Sequence, residues 1–136
     1  MSTYKTAPTS QGDLFAQRAL RAGSVPYTPD SWVIVKIKSE KYGTIHKVLA
    51  GWAGSYLCGA SWKMSSMIVT FEDKGKYYES LQDSGSTYIL YKSSERMSAI
   101  MASTFASFEE QLKGNDGTIE VIDSGDYVNS NKGVHE

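Results

Sequence analysis

Between Trp32 and Lys92 short apolar runs alternate with polar positions and are separated by glycine-bearing turns, a pattern that predicts successive antiparallel strands. Trp32–Lys38 is rich in β-branched residues, with Val33, Val35 and Ile37 on one face and Ile34, Lys36 and Lys38 on the other. From Thr44 to Trp52 both faces carry apolar residues, which predicts a central strand. Met64–Glu72 alternates Met67, Val69 and Phe71 with Ser66, Ile68, Thr70 and Glu72. Asp73-Lys-Gly75 and Asp83-Ser-Gly85 supply turns, and Lys76–Gln82 and Ser86–Lys92 complete two hairpins. Gly51, Gly54 and Gly59 leave Trp52–Trp62 harder to place: a tight turn near Ala53–Gly54, a short strand at Tyr56–Cys58, and a bulge or loop near Gly59.

The period then changes. Met97, Ile100, Met101, Phe105, Phe108 and Leu112 recur every three or four residues and predict an amphipathic helix over 94–113. Ser93 or Ser94 would cap it, Glu95 would lie in its first turn, and Lys113-Gly114 would end it. Its stripe suits core packing on the sheet, and alternatively the seam of a homo-oligomer joined through Met97–Leu112. Thr118–Ile122 predicts a short edge strand. Residues 1–30 form an N-terminal arm, with a short helix over Leu14–Arg21 capped by Asp13 and an extended linker marked by Pro26 and Pro29. Residues 123–136 are polar and Gly/Asn-rich, which predicts a disordered tail. The expected fold is α+β: an antiparallel meander of about five or six strands with one flanking C-terminal amphipathic helix, a short N-terminal helix and flexible tails. Residues 31–122 form its single domain.

Composition narrows the classes. A chain of 136 residues with 40% hydrophobic and 21% charged residues is globular and suits one domain. Net charge of −1 argues against a duplex nucleic-acid or anionic-lipid footprint. No apolar stretch approaches the ~18 residues of a membrane span, and MSTYKTAPTSQGD lacks the pattern of a secretory signal. Lone Cys58 excludes an intramolecular disulfide and is compatible with a reducing cytosol.

Catalytic chemistry finds little support. Cys58 and His46 could form a nucleophile–base dyad, but their spacing matches no local motif, and a lone cysteine in a β-rich core is usually a small buried hydrophobe. Two distant histidines and one cysteine give no metal-ligand spacing, so neither metal nor cofactor is expected. Glu72, Asp73, Glu79 and Asp83 fall at turns, where solvated carboxylates are ordinary. Gly51-Trp-Ala-Gly54 lacks the Lys-Ser/Thr of a phosphate loop. The chain reads as non-enzymatic.

Binding fares better. Trp52, Tyr56, Trp62, Tyr77, Tyr78, Tyr88 and Tyr91 are many large amphipathic rings for one small core, and such rings stack on nucleobases. Lys47, Lys63, Lys76 and Lys92 offer phosphate contacts. The bland alternative is that the rings are ordinary strand residues and the lysines a solvated face.

Three segments carry a family resemblance. Ala60-Ser-Trp-Lys-Met-Ser-Ser-Met-Ile68, Ala50–Tyr56 and Ser84-Gly-Ser-Thr-Tyr88 resemble motifs of small bacteriophage proteins, Asp-Ser-Trp-Arg-x-Asn-Ser-Gly-Ile, Ala-Gly-Trp-x-Gly-x-Tyr and Ser-Gly-Ser-x-Tyr. In layout the chain is similar to the Thoeris anti-defence sponges, which oligomerise and sequester cyclic nucleotide signals without cleaving them. The likeness spans about residues 45–92, and both ends lie outside it. It implies a phage accessory protein in the host cytoplasm that binds a small nucleotide-like ligand through Trp52, Tyr56, Trp62, Lys63, Ser65, Ser66, Ser84, Ser86 and Tyr88. Lys63, Ser65 and Met67 stand where the motif has arginine, asparagine and glycine; if the motif's arginine and asparagine read the ligand, this chain reads a different one or binds it more weakly. Trp62 and Lys63 alternate along a strand, so sharing one site with Tyr88 requires an irregular backbone between Cys58 and Met64. Two further classes stay open: a virion or protein-interaction component using the aromatic face, and a single-stranded nucleic-acid binder.

Overall fold

The computed structural model describes residues 25–41, 43–54 and 59–135, with side chains to residue 130. The expected N-terminal helix, the strand at Tyr56–Cys58 and Cys58 itself lie outside the described residues. The order is β1 (Ser31–Ser39), β2 (Gly43–Trp52), β3 (Ser61–Asp73), β4 (Tyr77–Gln82), β5 (Thr87–Tyr91), α1 (Ala99–Lys113), β6 (Thr118–Ile122) and α2 (Ser124–His135). The six strands form one antiparallel sheet in the order β5-β4-β3-β2-β1-β6, so the meander is present and β6 is an edge strand. The α+β class is as expected.

The sheet is open but strongly curled. From Tyr27, which bridges β5 through Tyr27 N–H to Thr87 O (2.9 Å) and Ile89 N–H to Tyr27 O (2.8 Å), the chain reaches β1 at Ser31. Four residues span at most about 14 Å, whereas β5 and β1 in a flat sheet stand about 19 Å apart. The sheet must therefore bend back on itself. Trp32 joins the approaching sides: its Nε1 donates to Tyr91 O (2.8 Å) and its carbonyl accepts from Arg96 N (3.0 Å). The bend lies in β3, which pairs with β2 and with β4 and has a register shift in each pairing.

Inside the curl, Trp32, Ile34, Val48, Ala50, Ile68, Tyr78, Tyr88 and Leu90 form one buried cluster. Outside, the α1 stripe packs on the opposite face of β1, β2 and β6, with Met101 fully buried beside Val33, Val35, Leu49 and Ile119. Gly51 lets α1 approach: a Cβ there would come within 2.7 Å of Met101 Sδ. The helix begins at Ala99 rather than at residue 94. Its cap is Ser98, whose side chain accepts from Met101 N, and Lys92–Ser94 make a single 3-10 turn.

Glu95 does not serve α1 at all. Its carboxylate accepts from Ser124 N (2.9 Å) and Ser124 Oγ (2.6 Å) at the start of α2. The expected disordered tail is therefore corrected to a helix over Ser124–His135. Composition gave no sign of it because tertiary contacts hold it. Asp123 caps its first turn through its side chain and carbonyl, the Tyr78 hydroxyl donates to Ser124 Oγ (3.2 Å), and Tyr127 packs on His46 and Phe71. Partial burial there lowers the His46 pKa, and the Lys36 charge lowers it further.

Candidate ligand site at the open end of the curl

The end of β2, the start of β3, the end of β4 and the start of β5 meet at one end of the sheet, because each pair is antiparallel. Residues 25–30 cross this end as a strap. Its single bridge to β5 places the Tyr27 ring over Tyr88, with centroids 5.0 Å apart and planes inclined by 28°. Trp52, the last residue of β2, meets Tyr27 edge-on at 6.3 Å. The Lys63 ammonium lies over the Tyr27 ring, 5.2 Å from its centroid. Tyr27 is 37% exposed and Tyr88 1%.

The floor has an unusual feature. The Tyr88 hydroxyl is buried with no hydrogen-bond partner, which ordinarily costs about 1–3 kcal/mol. Burial pushes its pKa far up, with Tyr27 adding to the shift, so it stays a neutral phenol able to donate. Around Gly85, whose φ of 95° closes the β4–β5 turn, Ser66 Oγ donates to Ser84 Oγ (3.1 Å) and Ser84 Oγ donates to Ser86 Oγ (3.3 Å). These exposed hydroxyls belong to the same end of the sheet. At the neighbouring loop, Gly54 approaches so close that a Cβ would fall 1.6 Å from Gly59 O.

The residues expected to bind separate into groups. Trp52, Lys63 and Tyr88 come together, with Ser66, Ser84 and Ser86 at the same end. Tyr56 lies outside the described residues. Trp62 does not join them. Ser61–Met64 pairs regularly with Leu49–Trp52, and the register shift comes only after Met64, so no irregularity turns Trp62 and Lys63 to one side. Trp62 instead points to the α1 face, 43% exposed, with its ring edge-on to Phe108 at 6.0 Å. Ser65 is buried inside the sheet. Its Oγ accepts from Val48 N (2.8 Å) and Gln82 Nε2 (2.7 Å) and donates to Ser66 O (2.6 Å), so it supports the bulge rather than facing a ligand.

Tyr27 is the residue that sequence reasoning missed. An aromatic residue between Pro26 and Pro29 in an extended linker was the available signal, and only the curl of the sheet brings it to Tyr88 and Lys63. His46 is taken up in packing on Tyr127. Among the described residues no cluster of three or more His, Cys, Asp or Glu could hold a metal, and no helix is long and apolar enough to cross a membrane.

No protein-family model, curated protein or solved structure matches the chain.

Proposed function

We propose that this chain is a non-enzymatic binding protein that holds a small nucleotide-like ligand at the Tyr27–Trp52–Lys63 end of the curl. The observation that carries the reading is the stack of exposed Tyr27 on buried Tyr88 with an ammonium above it. It puts an aromatic surface, a cation and a chain of serine hydroxyls at one end of the sheet. These match the base, phosphate and ribose of a nucleotide in kind. Sequestration of a host immune signal in the host cytoplasm by a phage accessory protein extends the same reading, supported by the resemblance at residues 45–92.

Mass spectrometry of small molecules released from protein purified out of infected cells tests it. Wild type is expected to yield a phosphorylated ligand. Trp52→Ala should retain about tenfold less, from a lost stacking contact. Trp62→Ala, on the opposite face, should retain it fully. A wild type that carries no small molecule, or a loss confined to Trp62→Ala, overturns the assignment.

A second reading rests on a separate observation. Met67, Val69 and Leu81 are exposed large apolar residues on the paired strands β3 and β4, and grouped exposure of this kind marks protein contact. A homo-oligomer, or attachment to a virion component, would use this surface, since the Met97–Leu112 stripe is spent on the sheet. Light scattering of the full chain is expected to give a dimer or larger that Val69→Lys converts to monomer. A monomeric wild type at high concentration rejects self-association.

A further inference from the structure

We infer that Tyr27 holds a place on Tyr88 that a ligand's base takes over, and that the Tyr88 hydroxyl is a hydrogen-bond donor for an acceptor atom of that base; this rests on the ligand-binding reading above. Inside the curl, the other buried polar groups are matched to one another. The Tyr78 hydroxyl, in the same inner cluster, donates to Ser124 Oγ at 3.2 Å. Ser80, opposite Tyr88 in the β4–β5 pairing, donates its Oγ to Gln82 Oε1, and Gln82 Nε2 donates to Ser65 Oγ and Ser66 O. Tyr88 is 1% exposed, and among the described residues its hydroxyl alone is buried with no partner. Such a phenol costs stability, whereas phenylalanine would fill nearly the same space without that cost. A group that is costly in the free protein is expected where its partner arrives only on binding.

The ring that lies over Tyr88 belongs to the strap. Tyr27 stacks on Tyr88 at 5.0 Å, and its own phenol is close enough to bear on the ionisation of the Tyr88 hydroxyl. Moving that ring is therefore what brings a ligand atom to the hydroxyl. The strap permits the movement. Residues 25–28 are exposed, whereas Pro29 is buried and Asp30 is fastened at three points. Asp30 N–H donates to Gly51 O (3.0 Å), its carboxylate accepts from Ala53 N (2.7 Å), and its carbonyl accepts from the Arg96 guanidinium (3.0 Å). Tyr27, 37% exposed, can turn outward while that anchor stays in place. The Lys63 ammonium stands 5.2 Å from the centroid of the departing ring, so a nucleotide in its place has a cation near its phosphate.

Calorimetric titration of the full chain with adenosine monophosphate, together with urea unfolding of the free protein, tests this in wild type, Tyr88→Phe and Tyr27→Ala. Tyr88→Phe should unfold at the same or a higher urea concentration than wild type, yet bind the monophosphate about fivefold more weakly. Tyr27→Ala should bind it about two- to fivefold more tightly, because the place on Tyr88 is already open. A lower urea midpoint for Tyr88→Phe would mean that the hydroxyl has a partner in the free protein, and overturns the inference. Equal monophosphate affinity in Tyr88→Phe and wild type also overturns it, as does unchanged or weaker binding by Tyr27→Ala. Both of these results leave the nucleotide reading standing, with the ligand outside the stack. No binding of the monophosphate by wild type or either variant overturns the inference and counts against the nucleotide reading as well.

Discussion

Trp32→Ala is expected to lower stability by about 3–5 kcal/mol, enough to leave much of the chain unfolded at physiological temperature. Trp32 is fully buried and belongs to the inner cluster, where its ring meets Tyr78 edge-on at 6.0 Å. It also fastens the curl, since its Nε1 donates to Tyr91 O and its carbonyl accepts from Arg96 N. The alanine variant removes ring volume and the side-chain bond together. Trp32→Phe separates them: it keeps most of the volume, leaves Tyr91 O without its donor, and should cost about 1–3 kcal/mol. Urea midpoints for the two variants check both figures. A Trp32→Ala midpoint close to wild type would mean that the sheet closes without this contact, and the curled architecture would be wrong.

Ser65→Ala should lower stability by about 1–3 kcal/mol while leaving ligand retention by the folded protein unchanged. The hydroxyl removed is the acceptor for Val48 N–H at the point where β3 shifts register, and no water-exposed surface is at hand to replace it. Gln82 is partly protected, because its Nε2 also donates to Ser66 O (2.8 Å) and its Oε1 accepts from Ser80 Oγ. The penalty therefore falls mainly on Val48. Ser65→Asn, the residue of the phage motif, should be at least as damaging, since a larger amide would be forced into a filled interior. Denaturant unfolding reads the stability, and the released-ligand measurement reads retention. Loss of retention with an unchanged unfolding midpoint would place Ser65 against the ligand after all.

The contrast between Ser65 and Trp62 marks the boundary between what the sequence determined and what the tertiary structure decided. Strand positions and the amphipathic helix were legible because alternation and the three-to-four-residue period are local consequences of which face each residue must bury. The turns at Gly75 and Gly85 were legible for the same kind of reason: both glycines take positive φ, which few other residues tolerate. Trp52, Lys63 and Tyr88 could be named from residue type alone. Their grouping could not, because it depends on how far the sheet bends and on where β3 changes register, and both follow from contacts distant in sequence such as Trp32 with Tyr91 and Ser65 with Val48. The same distance hid α2. Its polar composition reads as unstructured, and its stability comes from Glu95, Tyr78, His46 and Phe71, side chains far back along the chain. Local pattern thus determined the elements of this protein, while long-range packing decided which face each motif residue occupies and brought Tyr27 to the site.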